Sequence, residues 1–524
     1  MKSINKSSFS IRFIAALVLL AMFSFSCKKH KPEPPKANGT RTQLTQDSIY
    51  LYAKQIYLWN DALPSYEVFN PRKYTQSTNE LTNLKKEVYD ITQYKKGSDG
   101  QPYEYIATEP ASPKFSYIEL SESGGSIAGS APTVNQVELN GVGSDFGFAL
   151  SLEGARASYR IYIRYVNAGS PAFNNGLRRG DWVQVLNGRT LSTNFTTADE
   201  TFINSALNGS SLTLTAKKPN GTTVTKTITN STYNSRATFK DTIITSSGTK
   251  IGYLALARFS DPDNYTYTSE PIRTAFSKFV NGGVTNLVID LRYNGGGYVE
   301  TARLLADLIA GKFKNGSTMF SEHYNATLQN HQATILKNQP LPNSSGRKAN
   351  YFDNYDYSVS SNTYLFSNQS ESLSSVNKIV FLVSSSTASA SELVINVLKP
   401  HISSLKLISS EDEYGNSKTY GKPVGFFPIT IDKYDVYFSM FETKNSLGQG
   451  GYYTGLTPDV VSYDDVTHDF GDPAESQFAS AINYIVNGTL SAKAPGATIS
   501  SVRQPTIILG QDYSFKGMIE RKRK

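Results

Sequence analysis

The sequence is poor in the residues that build metal sites and disulfides. Its 524 residues include a single cysteine, Cys27, and five histidines. A lone thiol cannot form an intramolecular disulfide, and no His, Asp or Glu cluster has the spacing of metal ligands. We therefore expect neither a metal nor a cofactor.

Charge is also scarce, and the positive surplus lies at the two ends. Charged residues make up 18% of the chain, too few for a disordered protein. The net charge is +8, but residues 1–36 carry +6 and residues 520–524 carry +3, which leaves −1 for the remainder. A nucleic-acid-binding surface needs clustered Lys and Arg on the folded body. No nucleic-acid partner is expected.

The N-terminus has the pattern of a targeting segment. A basic start precedes an apolar run, residues 13–25, that ends just before Cys27. This run is short for a membrane span, and a cysteine at this place resembles a bacterial lipobox. We predict a lipoprotein signal peptide at 1–26 and a flexible tether at 27–39. The protein would then be lipid-anchored in the bacterial envelope, facing the periplasm or at the outer membrane. An incidental cysteine in an uncleaved anchor is the alternative.

The length predicts several domains within an α/β multidomain fold. Residues 40–139 read as a small helical domain and linker, and 140–232 as a β-rich domain. Residues 233–487 alternate strands and helices, which predicts an α/β domain, with an insertion at 325–375. The basic stretch 488–524 is predicted to be disordered. The strands predicted in the α/β domain are 251–256, 287–291, 379–383 and 405–408, and the helices are 270–280, 299–310, 391–398 and 473–486.

The β-rich domain contains a motif of peptide-binding domains. Within residues 169–188, a short helix, a Gly-Asp turn and a strand ending in Asn-Gly occur in that order. This arrangement resembles the PDZ domains of bacterial proteases, and it implies that a substrate tail adds as a strand to a sheet edge. A small β-barrel without peptide binding is the alternative. The predicted peptide contacts are Phe146, Gly147 and Phe148 in the loop and Phe202 and Ile203 on the helix. The two helix residues could equally be ordinary core residues.

A serine lies where a strand passes into a helix. The apolar run 380–383 leads into Ala-Ser-Ala-Ser-Glu, residues 388–392, with Ser389 in the turn. A nucleophile there is exposed, and the first-turn N–H groups point at a developing oxyanion. Helix capping is the alternative, since Ser-rich runs also begin helices.

Two further segments supply what such a serine needs. Residues 288–297 form an apolar strand that ends in a glycine-rich turn, which bares backbone N–H groups and lacks the Lys-Ser/Thr of a phosphate loop. Lys422 follows in a Thr-Tyr-Gly-Lys turn, and it is a base only if burial lowers its pKa. A triad with His401 or His323 stays open, because triads assemble from distant segments.

Together these motifs, with Gly-Leu-Thr-Pro-Asp at 455–459, resemble the C-terminal processing (tail-specific) peptidases of family S41 over residues 140–486. The resemblance implies a catalytic domain of ClpP/crotonase-like fold. It also implies Ser389 as nucleophile, Lys422 as general base, and the N–H groups of Ala390 and of Gly296 or Gly297 as oxyanion hole. Phe426 departs from the pattern, because some relatives carry a glutamine there that orients the lysine.

The resemblance implies a serine endopeptidase that cleaves proteins or peptides through a Ser–Lys dyad and recognises free C-terminal tails. Two other functions are compatible with the motifs. One is a non-catalytic adaptor that binds tails, and the other is an esterase that uses the same dyad.

Overall fold

The computed structural model describes residues 38–107, 109–121, 137–154, 158–341, 349–412, 414–491, 507–509 and 517–520. The predicted signal peptide, Cys27 and most of the tether lie outside the described residues. Within the described ranges, no helix is both long and apolar enough to cross a membrane.

The chain folds as a mixture of helices and strands. The α-helices are α1 (Arg41–Ile56), α2 (Tyr66–Phe69), α3 (Glu80–Thr92), α4 (Pro171–Asn174), α5 (Thr197–Leu207), α6 (Ser269–Asn281), α7 (Val299–Lys314), α8 (Ala326–Gln329), α9 (Ala390–Leu398) and α10 (Ser476–Asn487). The strands are β1 (Tyr117–Leu120), β2 (Val142–Gly143), β3 (Phe148–Glu153), β4 (Arg160–Val166), β5 (Trp182–Leu186), β6 (Arg189–Thr190), β7 (Ser211–Lys217), β8 (Thr223–Thr229), β9 (Tyr233–Asn234), β10 (Thr238–Ser246), β11 (Thr249–Leu256), β12 (Asn286–Asp290), β13 (Gly296–Tyr298), β14 (Thr318–Tyr324), β15 (Thr363–Leu365), β16 (Lys378–Val383), β17 (Leu405–Ser409), β18 (Val424–Gly425), β19 (Ile429–Ile431), β20 (Tyr434–Tyr437), β21 (Phe441–Asn445), β22 (Val460–Val461), β23 (Ile507–Leu509) and β24 (Gly517–Ile519).

The α/β domain is built on a six-stranded sheet in the order β10-β11-β12-β16-β17-β22. All its strand pairs are parallel except β10 with β11. Every residue of β12 is buried, as a parallel strand covered on both faces requires. The strands and helices predicted for this domain are confirmed to within a few residues.

The N-terminal helices form where the sequence predicts them, but they do not make a separate domain. Ile49 of α1 and Leu84 and Ile91 of α3 belong to the same continuous buried cluster as Leu287 of the central sheet. A small segment gains more buried apolar surface by packing on a larger domain, and the apolar faces of these helices do pack on the α/β domain. The predicted N-terminal helical domain therefore shares one core with the α/β domain.

The β-rich region does have its own core. Buried side chains of β3, β4 and β7, among them Leu150, Ile163 and Leu214, form a cluster distinct from that of the α/β domain. The short strands β2 and β9, which lie at the two ends of this region along the chain, pair with each other. A buried ion pair joins it to the α/β domain, with 2.9 Å between Arg179 Nη2 and Asp464 Oδ1.

Within the stretch 325–375, which the sequence predicts to be an insertion, Leu336, Tyr351 and Tyr357 are buried in the main core and β15 pairs with β14. One expectation is corrected. The stretch 488–524 is not disordered throughout. Its apolar patches, β23 and β24, are added to existing strands, β3 and β13, which supply the backbone partners that a short isolated strand lacks.

Candidate active site

Ser389 sits in the turn between β16 and α9. Its φ of 59° and ψ of −111° lie outside the regions that L residues favour, so the surrounding contacts must hold the turn. Its backbone N–H donates to Glu392 Oε2 at 2.8 Å. The side chain is fully buried, and within the described part of the chain its hydroxyl makes no hydrogen bond.

The glycine-rich turn lies directly against this serine. A Cβ placed on Gly296 would be 3.0 Å from Ser389 Cβ, and one on Gly297 would be 2.0 Å from the Phe259 carbonyl oxygen. Both glycines have positive φ, 114° and 132°, which a side chain would strain. Asn294 Oδ1 accepts the N–H of Gly296 at 2.9 Å. Gly297 is therefore the better candidate for the second oxyanion donor.

Ala390, the other predicted oxyanion donor, is the first residue of α9. The N–H groups of the first helical turn have no partner within the helix, and the helix dipole favours negative charge there. The structure thus brings Ser389, Ala390 and the glycine turn together, as the sequence predicts.

Lys422 is buried beside the same turn. Only 1% of the residue is exposed, and this burial lowers the pKa of Lys422 to about 7, against a smaller opposing effect of the Glu104 charge. Its Nζ donates to the Phe115 carbonyl at 3.0 Å and lies 5.0 Å from the centre of the Phe426 ring. A lysine in this state is substantially neutral near pH 7 and can accept a proton.

Glu392 joins the serine turn to the lysine turn. Its Oε2 accepts the backbone N–H groups of both Ser389 and Lys422, each at 2.8 Å. Its Oε1 accepts the N–H of Gly421 at 2.8 Å and the hydroxyl of Thr419. Burial raises the pKa of Glu392, although these donors favour the ionised form. The sequence motif contains this glutamate, but its spacing gave no sign of the role.

The Gly-Leu-Thr-Pro-Asp segment, residues 455–459, contacts Thr419, which precedes Lys422 in the lysine turn. The N–H of Leu456 donates to Thr419 Oγ1 at 2.7 Å. A Cβ on Gly455 would lie 2.0 Å from the Thr419 carbonyl oxygen, so only glycine permits this approach. Thr419 in turn holds Glu392. Glu392 and Thr419 therefore hold the backbone of the lysine turn, while the Phe115 carbonyl accepts from Lys422 Nζ.

The N-terminal region contributes residues that the sequence did not point to. Glu104 is fully buried, accepts the N–H and the hydroxyl of Ser116 at 2.8 Å each, and has its pKa raised by burial. Burial also lowers the pKa of Lys114 to about 8. Both charges act on Lys422 from the segment that carries Phe115. They lie some 300 positions from the lysine along the chain, and no local motif marks them.

The predicted peptide contacts of the β-rich domain divide into two groups. Phe146, Phe148 and Ile203 are buried in its core, and for Ile203 this favours the alternative of an ordinary core residue. Phe202 is half-buried, with the Arg189 guanidinium 4.6 Å from the centre of its ring. Gly147 has a φ of 81°, and its carbonyl accepts the N–H of Asn167 at 2.7 Å.

The two histidines considered for a triad have partners elsewhere. His323 Nε2 is 2.9 Å from Ser321 Oγ, and His401 Nε2 is 3.2 Å from Ser446 Oγ. In the described ranges, no group of three or more His, Cys, Asp and Glu side chains is placed to hold a metal ion.

Comparison with known proteins gives one family and several related folds. The sequence model of peptidase family S41 matches residues 250–419, which include Ser389 and end three residues before Lys422. A crystal structure of a candidate S41 protease from Bacteroides fragilis is 21% identical, with a TM-score of 0.54, and the match covers 87% of this chain and 99% of that one. The photosystem II D1 C-terminal processing protease is 17% identical with a TM-score of 0.43, over 84% and 100% of the two chains. No curated protein matches the sequence significantly.

Proposed function

Because residues 250–419 match the sequence model of peptidase family S41, we propose that the chain is a serine peptidase that uses Ser389 as its nucleophile and Lys422 as its general base. One observation carries the proposal. A single carboxylate oxygen, Glu392 Oε2, accepts the backbone N–H groups of both residues, and burial lowers the pKa of the lysine to about 7. The shared carboxylate oxygen joins the backbones of the serine turn and the lysine turn, which supports the proposal.

The reaction would proceed through an acyl-enzyme. Neutral Lys422 takes the proton of Ser389 Oγ as this oxygen attacks the substrate carbonyl, and the N–H groups of Ala390 and Gly297 stabilise the oxyanion. The resulting ammonium gives its proton to the departing amine. Water then attacks the ester, again with Lys422 as base. In the structure Lys422 Nζ donates to the Phe115 carbonyl. For the first step this nitrogen must move to within hydrogen-bond distance of the Ser389 hydroxyl.

We further propose that the β-rich domain receives substrate tails by strand addition, as the PDZ resemblance implies. The motif order and the separate core of this domain support the proposal. Tail binding near Ser389 raises the local concentration of substrate, so a weak affinity still gives efficient cleavage. A lipid anchor at Cys27 in the bacterial envelope is the proposed setting, and it rests on the sequence alone.

The test is cleavage of a loosely folded protein that bears an apolar C-terminal tail. We expect the wild-type chain to cleave it and Ser389→Ala and Lys422→Ala to be slower by roughly 10³-fold or more. Lys278→Ala, which removes a half-exposed surface lysine, is the matched control and should keep full activity. Activity that survives in Lys422→Ala but not in Ser389→Ala would assign the base to another residue. An inert wild-type chain that still binds tails would favour the adaptor.

A further inference from the structure

The chain places one of its own segments against the glycine-rich turn that lies beside Ser389. Strand β24 (Gly517–Ile519) runs parallel to β13, so that Gly517 pairs with Gly296 and Met518 with Gly297. On the opposite edge, the N–H of Phe426 donates to the Met518 carbonyl at 3.0 Å, and the N–H of Glu520 donates to the Phe426 carbonyl at 2.9 Å. The segment is therefore hydrogen-bonded through its backbone on both sides.

Its side chains are enclosed as well. Met518 and Ile519 are fully buried, Glu520 is 5% exposed, and the Tyr364 hydroxyl donates to Glu520 Oε1 at 3.2 Å. An extended segment with paired backbone and buried side chains is bound as a peptide ligand is bound by strand addition.

The register puts one carbonyl at the oxyanion hole. The Gly296 carbonyl accepts from Phe259 N–H, and the Tyr298 N–H donates to the Phe259 carbonyl, so the N–H of Gly297 faces the opposite side. In a parallel ladder that pairs Gly297 with Met518, this N–H is directed at the Gly517 carbonyl. A Cβ added to Gly296 would lie 2.5 Å from the Gly517 carbonyl oxygen and 3.0 Å from Ser389 Cβ. Both atoms are therefore close to the same side of Gly296.

A second part of the same segment lies on the β-rich domain. Strand β23 (Ile507–Leu509) pairs antiparallel with β3, from Leu152 to Leu150, and so runs toward the loop that contains Gly147. This edge lies beside the loop of Phe146, Gly147 and Phe148, for which the PDZ resemblance predicts contacts with a substrate tail. Of the C-terminal stretch, the described residues 507–509 thus lie on the β-rich domain and the described residues 517–520 lie beside the catalytic turn.

We propose that the chain is its own substrate and is cleaved between Gly517 and Met518. The inference rests on the proposed function of Ser389 and Lys422. Ser389 Oγ bonds to the Gly517 carbonyl carbon, and its proton passes through Lys422 to the Met518 nitrogen as the Gly517–Met518 bond breaks. Water then hydrolyses the ester, which restores the serine hydroxyl and leaves a carboxylate on Gly517. The fragment that begins at Met518 leaves, and Ser389, now fully buried, becomes accessible to other substrates.

The direct test is the intact mass of the purified full chain followed over time. We expect the wild-type chain to lose the fragment that begins at Met518, and this fragment to be found by mass spectrometry, whereas Ser389→Ala keeps it. The rate should not change on dilution, because the reaction is intramolecular. A wild-type chain that stays intact, or that is cut at another bond, overturns the proposal.

A pair of substitutions tests the docking of the segment without touching the catalytic residues. Met518→Asp puts a carboxylate at a fully buried apolar position and should slow self-cleavage at least about tenfold, since an unpaired buried charge is unfavourable. Met518→Leu keeps the buried volume and should be processed at the wild-type rate. Equal rates for all three chains would mean that the observed cleavage does not use this bound state.

Cleavage of casein by the same preparations separates the two proposals. If the wild-type chain stays intact but degrades casein, self-processing is overturned and the peptidase stands. If only Met518→Asp degrades casein, the segment is an inhibitor and not a substrate. If no preparation is processed and none degrades casein, both proposals fail.

Discussion

Two buried clusters of charge in this molecule have opposite electrostatic outcomes. Around Lys422, burial outweighs the charges of Glu104 and Glu392, and the lysine pKa falls to about 7. Around Arg292, burial acts in the same direction but is overcome by Asp290, Glu475 and Asp464, so the pKa of the guanidinium stays above its ordinary value.

The difference lies in the number and geometry of the ion pairs. Arg292 is within 3.0 Å of carboxylate oxygens of Asp290, Asp464 and Glu475, and Arg179 adds a second cation to Asp464. These cations hold the pKa of Asp464 well below its ordinary value, although its burial acts against them. Lys422 instead donates to a backbone carbonyl. The ion pairs around Arg292 keep these side chains charged and connect the β-rich domain to the α/β domain. The surroundings of Lys422 instead let this lysine gain or lose a proton near pH 7.

The largest effect should follow from removal of the lysine. Lys422→Met should lower peptidase activity by roughly 10³-fold or more while it raises the free energy of unfolding. The lysine pKa is about 7 when folded and 10.5 for the ordinary group, so the unfolded chain binds more protons between these values. The stability penalty of Lys422 therefore grows as pH falls toward 7 and is constant below it.

Urea unfolding at pH 6 and at pH 10 measures this gain. We expect Lys422→Met to be more stabilising at pH 6, and Lys278→Met, at a half-exposed site, to change little at either pH. A destabilised Lys422→Met at pH 6 would mean that this lysine behaves like the paired cations.

Breaking the paired cluster should have the opposite consequence. Asp464→Asn leaves Arg179 and Arg292 without a shared carboxylate and should lower the free energy of unfolding by about 3 to 5 kcal/mol. Asp241→Asn removes a surface partner of Lys278 and should cost about 0 to 1 kcal/mol. Denaturant titration measures the free energy of unfolding of both variants. Equal losses would contradict the prediction that the buried ion pairs contribute more than the surface pair.

Glu392 should affect the reaction more than the fold. In Glu392→Gln, an amide NH2 group, which donates, can take the place of the oxygen that accepts the N–H groups of Ser389 and Lys422. Otherwise the side chain rotates and the two hydrogen bonds change direction. In both cases Ser389 and Lys422 are misaligned. By analogy with residues that orient metal ligands, we expect a loss of roughly 10- to 100-fold in kcat with KM nearly unchanged. Steady-state kinetics checks this, and a change confined to KM would speak against a positioning role.

The smallest effects should be shifts of the pH profile in opposite directions. The Glu104 charge raises the pKa of Lys422 and the Lys114 charge lowers it. Glu104→Gln should therefore move the acidic limb of kcat/KM to lower pH, and Lys114→Met should move it to higher pH. Profiles that shift in the same direction would show that these variants act through packing and not through charge.

The sequence revealed the parts of the site that are local in the chain. Ser389, Ala390 and the glycines lie in turns that can be recognised from their residue types, and Lys422 was predicted from its Thr-Tyr-Gly-Lys motif. Glu104 and Phe115 could not be found in this way, because they meet Lys422 only through the packing of the N-terminal segment on the α/β domain. The strands of the C-terminal stretch escaped for a similar reason, since three apolar residues become a strand only beside a partner edge.

The most direct test of the account is the rate at which a small fluorophosphonate labels Ser389 as a function of pH. In the Met518→Asp background, in which the C-terminal segment is not expected to cover Ser389, we predict that labelling of this serine rises with pH with a midpoint near 7, where Lys422 loses its proton, and that it is lost when Lys422→Ala is added. Labelling that is independent of pH between 6 and 9, or that persists in Lys422→Ala, would contradict the claim that burial makes this lysine the base.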